Sequence, residues 1–183
     1  MNSDLARDKV ARQRFIARSA WFTVPGTLAI LVAGYAFSPP LKGIETQVQQ
    51  VLLALQWLPI ALLPYVAVCL HIAVARFIEG SHNPLAGAES ESLKIHCRVM
   101  QNTLEQFSWF AIALLSLATL LPPARAAFIP VACLLFALSR VVYWFGYRRG
   151  GTLGRAPGVQ ITFTLNIALL ALALARLGKH LLL

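Results

Sequence analysis

The sequence predicts an all-α integral membrane protein with five spans, and three observations predict it. Apolar residues make up 58% of the 183 and charged ones 13%, against roughly 25% charged in an ordinary soluble domain. Mean hydropathy is +0.67. Asp, Glu, Lys and Arg are absent from five long windows, residues 19–41, 46–75, 106–124, 126–139 and 156–175. A bilayer core asks for about 20 apolar residues per helix, so the first, third and fifth windows fit, the second is longer than one span needs, and the fourth must continue past Arg140.

Helices are therefore expected near residues 14–37, 46–78, 92–121, 125–148 and 157–181, each apolar around most of its circumference as lipid requires. Ser38-Pro39-Pro40 stops the first and the stretch from Gly80 to Pro84 stops the second. Pro122-Pro123 stops the third, and Gly150-Gly151 with Gly154 and Pro157 separates the last two. Pro59 and Pro64 fall inside the second segment, where each removes a backbone hydrogen bond, so a kink or a break is expected there. The basic start and apolar run of the first segment also resemble a signal peptide, but an uncleaved anchor is the expectation.

The rest of the composition excludes other classes. Three cysteines, an odd number, all in apolar stretches, do not make a disulfide scaffold; Cys69, Cys97 and Cys133 are expected as reduced thiols. The net charge of +9 would suggest nucleic acid in a soluble protein. Here the basic residues gather at the ends of spans, as the positive-inside rule requires, and no nucleic acid is expected. Arg7, Lys9, Arg12, Arg14 and Arg18 precede the first helix, Arg76 and Lys94 flank the second loop, and Arg148, Arg149 and Arg155 fill the fourth. Those sites belong on the cytoplasmic side, with the N-terminus inside; the expected location is a prokaryotic inner membrane.

The informative residues are ionisable groups inside spans, which are costly by about 2.5–3.5 kcal/mol on insertion scales and by default mark a functional pathway. In the third helix Arg98, Asn102 and Glu105 stand at i, i+4 and i+7, on one face. In the fourth, Arg140, Tyr143 and Tyr147 stand at i, i+3 and i+7 and form a second stripe. The third helix leaves the basic side and the fourth returns to it, so the stripes can face each other. With Arg148, Arg149 and Arg155 at the rim they would make an anion-binding cleft with one carboxylate able to hold an ammonium group. The structural alternative pairs Glu105 with Arg98 or Arg140 and leaves the tyrosines in the interfacial aromatic belt.

Arg98-Val-Met-Gln-Asn102-Thr-Leu-Glu105-Gln-Phe followed by Arg140-Val-Val-Tyr143-Trp-Phe-Gly146-Tyr147 resembles the MAPEG family, the membrane-associated proteins in eicosanoid and glutathione metabolism, over roughly residues 47–180. The resemblance implies a four-helix bundle over 46–183, preceded by a basic segment and an extra helix in 1–45. It also implies a homotrimer with glutathione held between subunits near the cytoplasmic face.

By the same resemblance Arg98, Asn102, Glu105, Arg140, Tyr143, Tyr147 and Arg148 hold glutathione. The tripeptide offers two carboxylates to guanidinium groups, an ammonium to Glu105 and amides to Asn102 and the phenols. Arg155 would stabilise its thiolate. It stands one residue beyond the thiol-activating arginine of one branch of the family, whose spacing falls on Gly154, and Gln106 replaces the tyrosine that follows the glutamate in that branch. The reaction implied is attack of the thiolate on a lipophilic electrophile, or reduction of a lipid hydroperoxide, the second substrate arriving from the membrane lipid; no metal is expected.

The rival readings are a glutathione- or anion-binding or transport protein without chemistry, and a purely structural membrane protein. His71 and His96 raise a haem held between the second and third helices, without supporting metal spacing. Cys97 beside Arg98 is expected to be a packing residue rather than a nucleophile, and His82 and His180 carry no signal.

Overall fold

The computed structural model describes residues 2–81 and 89–182, with side chains from residue 9 onward; His82 and Pro84 lie outside the described residues. Five α-helices follow one another: α1 (Asn2–Phe37), α2 (Gln47–Glu79), α3 (Glu91–Leu120), α4 (Phe128–Gly154) and α5 (Ala156–Leu181), with a short 3-10 turn at Pro123–Arg125 before α4. All five spans are long and apolar enough to cross a membrane. The main difference from expectation is α1, which begins at Asn2 rather than near residue 14.

Local chemistry sets the ends. Thr46 and Gln49 form a reciprocal capping box at the start of α2: the Thr46 hydroxyl accepts from the Gln49 amide at 3.2 Å, and Gln49 Oε1 accepts from the Thr46 amide at 2.9 Å. Gly80, at φ 68°, closes α2 in the left-handed conformation that glycine adopts without a Cβ clash. Ser90 caps α3 by accepting from the Leu93 amide at 3.1 Å. Pro59 and Pro64 do not break α2, which runs unbroken through both. Its inward face carries Gln50, Ala54, Ala61, Pro64, Val68 and Ile72, mostly small residues that let neighbouring helices approach.

Helices α2 to α5 form a bundle in which α2 packs on α3 and α4, and α5 on α3 and α4; α1 lies outside, against α5 and to a lesser extent α4. The bundle core centres on Phe110 and Phe136, stacked with centroids 4.5 Å apart. Polar groups fix α1 at its middle and at its end. Midway along it, Ser19 and Thr23 donate to Gln160 Oε1 at 3.0 and 2.7 Å, and Gln160 Nε2 returns a bond to the Ile16 carbonyl at 2.9 Å. Near its end, Arg125 Nη1 donates to the carbonyls of Tyr35 and Ala36, both at 2.8 Å, and Arg176 reaches the Tyr35 hydroxyl.

The expected turn at Gly150-Gly151 is a break rather than a loop. Gly150 (φ −133°, ψ 18°) and Gly151 (φ 54°, ψ −135°) leave helical geometry, and the chain then folds back on itself. A Cβ on Gly146 would lie 2.1 Å from the Gly154 carbonyl oxygen, and one on Gly154 2.2 Å from that of Gly146. A Cβ on Gly158 would meet the Tyr143 backbone nitrogen at 2.4 Å. Gly146 and Gly154 let the folded-back end of α4 touch its own body backbone to backbone, and Gly158 lets α5 do the same against α4.

Gly154→Ala should therefore destabilise the protein by about 1–3 kcal/mol, seen as a lower midpoint of thermal unfolding in detergent. Gly178→Ala, where a Cβ meets open space, should leave the midpoint unchanged or slightly raised. Equal midpoints for the two variants would contradict the close approach.

Candidate functional site

The largest fully buried side chain in the bundle is Arg140. Its side chain is 1% exposed, and its guanidinium is held by neutral oxygens from two neighbouring helices. From α3, Asn102 Oδ1 accepts from Nη2 at 2.9 Å, and the Thr103 hydroxyl accepts from Nη2 at 3.2 Å and Nε at 3.3 Å. From α5, the Thr162 hydroxyl accepts from Nη1 at 3.2 Å; it also donates to the Gly158 carbonyl at 2.7 Å. The guanidinium carbon sits 4.1 Å from the centroid of the Tyr143 ring, within cation–π range. Among the described residues Arg140 has no carboxylate partner.

The two stripes thus meet at Arg140 and Asn102, but they do not form an open cleft in the single chain. Arg140 and Tyr143 are buried, whereas Arg98 and Glu105 face outward from α3 and Asn102 is half-buried between them. Glu105 is paired with neither arginine; its Oε1 accepts from Gln101 Nε2 at 3.2 Å along the same helix. Because a guanidinium only donates, it fixes the Asn102 amide with Oδ1 inward, leaving the Nδ2 donors for another partner. Arg140 is in this sense a positioning group for Asn102.

From Tyr143 the line continues toward the basic end of the bundle. The Tyr143 and Tyr147 rings have centroids 6.0 Å apart, and the Arg155 guanidinium lies 4.8 Å from the Tyr147 ring centroid. The fold-back at Gly150-Gly151 is what returns Arg155 to Tyr147. It also explains why Gly154 stands at the position expected for an arginine: its Cβ would strike the Gly146 carbonyl. Gln106 is buried, and its Oε1 and backbone carbonyl both accept from Asn166 Nδ2 at 3.1 Å, so its side chain is committed within the bundle.

Arg148 is elsewhere. It turns with Trp144 to the neighbouring face of α4, about 100° round from Tyr143 and Tyr147, and lines a cavity with His71 and His96 that shares no lining residue with the Arg140–Arg155 line. There the Trp144 indole donates to His96 Nδ1 at 3.0 Å, and His96 Nε2 contacts His71 Nε2 at 3.1 Å. Axial ligation from both faces of a haem iron would need those nitrogens about 4 Å apart, so at 3.1 Å the pair is bonded to itself rather than arranged around such an iron. Cys97 is a free thiol with Arg76 Nη2 at 3.8 Å, Arg76 being paired to Glu89 at 2.7 Å.

A model of the MAPEG family matches residues 52–175, which takes in most of the bundle from α2 to α5. The chain belongs to the MAPEG family. At family level this supports membrane functions related to glutathione, of the transferase or peroxidase type, in a family that also has non-enzymatic members. No curated protein and no solved structure matches the chain. MAPEG membership leaves α1 outside the matched region.

Sequence reasoning passed over Thr103, Thr162 and Trp144. Thr162 was findable, since Gly158, Thr162 and Asn166 recur every four residues as a small and polar stripe of a mostly apolar helix. Replacing Thr103 by valine removes the acceptor of two Arg140 donors and should cost about 1–3 kcal/mol, measured as a shift in the unfolding midpoint. A change below about 0.5 kcal/mol would mean that Arg140 is not seated on this hydroxyl.

Proposed function

We propose that this MAPEG protein binds glutathione and uses it as a thiolate against lipophilic electrophiles or lipid hydroperoxides. The observation that carries the reading is the continuous line Asn102–Arg140–Tyr143–Tyr147–Arg155, which starts on the α3 face that carries the outward-facing Arg98 and Glu105 and ends in an arginine on a phenol. Arg98 would take a carboxylate of the tripeptide, Glu105 its ammonium, and Asn102 Nδ2 a backbone carbonyl oxygen. Arg140 and Tyr143 act behind them, by orientation. Since Arg98 and Glu105 face out of the single chain, a second copy would close the site, in keeping with the trimer that the family resemblance implies.

Arg155 is the group assigned to the thiol. A free thiol has a pKa near about 8.5, and a neighbouring guanidinium lowers it, so more thiolate stands ready at neutral pH. In the transferase case the sulfur forms a bond to the electrophilic carbon while the leaving group departs with its electron pair. In the peroxide case the thiolate takes the distal oxygen, releasing an alcohol, and a second glutathione converts the sulfenic acid to a disulfide and water. Both steps rely on proximity and electrostatic stabilisation rather than on a covalent nucleophile of the protein. On the side of non-catalytic binding stands Gln106, buried on Asn166 where that branch of the family has a tyrosine.

Calorimetric titration of detergent-solubilised protein with glutathione, followed by thiolate absorbance in the ultraviolet, tests the proposal. Saturable binding with thiolate formation is expected, and Arg155→Ala should bind glutathione but lose the absorbance. Binding without thiolate in the unaltered protein would favour a carrier, and no binding would remove glutathione altogether.

A further inference from the structure

We infer that the cavity between α2, α3 and α4 at the basic end of the bundle is a binding site for the phosphate headgroup of an anionic membrane lipid. The cavity is about 300 Å³ and shares no lining residue with the Arg140–Arg155 line, although its walls Leu93 and Ala75 pack in one cluster with Tyr143 and Tyr147. Its polar lining comes from three helices: His71 on α2, Ser92 and His96 on α3, and Arg148 on α4.

The hydrogen bonds fix what this lining offers. An indole N–H only donates, so His96 Nδ1 accepts and carries no proton. His96 is then neutral with its proton on Nε2, which donates to His71 Nε2. That nitrogen accepts in turn, and the proton of His71 is on Nδ1, which has no partner among the described residues. The chain of three rings therefore ends in one unused donor on a ring that lines the cavity. Together with the Ser92 hydroxyl and the Arg148 guanidinium it makes a donor set suited to an oxyanion. The one carboxylate in the lining, Glu79, turns its oxygens to Ser90, accepting from the hydroxyl at 2.8 Å and the amide at 3.5 Å, and keeps a charge that the Arg148 guanidinium opposes.

The other walls decide between a lipid and a soluble anion. Val74 and Ile78 line the cavity and are also exposed on the outer side of α2, beside the exposed Leu70 and Phe77, on a helix apolar enough to span the membrane. A free phosphate gains nothing from such walls, whereas a phospholipid can leave its headgroup on Arg148 and run its acyl chains down this face. Basic pockets between transmembrane helices at a membrane surface take anionic headgroups in this way.

The test is native mass spectrometry of the full-length protein released from micelles containing phosphatidylglycerol or phosphatidylcholine of matched chains. Preferential retention of phosphatidylglycerol is expected, falling roughly ten-fold in Arg148→Gln. It should fall in the same direction in Ser92→Ala, a surface change that spares the fold, and stay unchanged in Arg149→Gln, whose arginine lies over Phe145 instead. No preference in the unaltered protein, or equal losses in the Arg148 and Arg149 variants, would overturn the site. Calorimetry of delipidated protein with inorganic phosphate separates the sources: Arg148-dependent heat without lipid preference would overturn the lipid assignment in favour of a soluble anion. Glutathione binding should survive Arg148→Gln; its loss would assign the cavity to the glutathione site and overturn this inference independently of the proposed function.

Discussion

A guanidinium in the middle of a bundle that faces lipid must find acceptors inside the protein, and the placement of Arg140 follows from that constraint. The bundle meets it with three neutral oxygens instead of a carboxylate, two from α3 and one from α5. Each bond fixes a register. Asn102 and Thr103 set the height of α3 against α4, and Thr162 sets that of α5. Gly158 then allows the backbones of α4 and α5 to meet next to Tyr143. A carboxylate at any of these positions would neutralise the arginine and add a second ion to desolvate. Hydroxyl and amide acceptors leave it cationic, over the electron-rich face of the Tyr143 ring.

The same helix pair explains how an arginine one residue out of family register still reaches the tyrosine line. A regular helix through residues 147–155 would carry Arg155 two turns beyond Tyr147, about 12 Å along the axis. The left-handed Gly151 and the contact between Gly146 and Gly154 fold that distance back, leaving 4.8 Å between guanidinium and ring centroid. The glycine at 154 and the arginine at 155 are thus one feature: the closeness that excludes a side chain at the first position delivers the second.

Most of the fold was legible because its causes are one-dimensional. Uncharged windows of span length, prolines at the ends and glycines between α4 and α5 are written along the chain, and the charge groups at Lys9–Arg18, Arg76, Lys94 and Arg148–Arg155 alternate with the spans. The start of α1 was not legible, because its first turns are polar and carry no apolar period. Continuity of α2 through Pro59 and Pro64 was not either, since packing by α3 and α4 decides whether a proline breaks a helix. Periodicity put Arg98, Asn102 and Glu105 on one face and Arg140, Tyr143 and Tyr147 on another, and both stripes exist. What it could not give was direction. Spacing shows that Arg140 and Tyr143 share a face but not that the face turns inward, and Arg148 separates from Tyr147 through the 100° between neighbouring helical residues.

That angle divides α4 between two polar systems. Tyr143 and Tyr147 belong to the line through Arg140 and Arg155, while Trp144 and Arg148, each one residue further, belong to the cavity of His71 and His96. Helix α3 takes part in both, through Asn102 in one and His96 in the other. A slide of α3 against α4 by one helical turn, about 5.4 Å, would break the Asn102–Arg140 and His96–Trp144 bonds together. The two systems therefore hold the same register from adjacent faces of α4, and neither can be rearranged while the other stays intact.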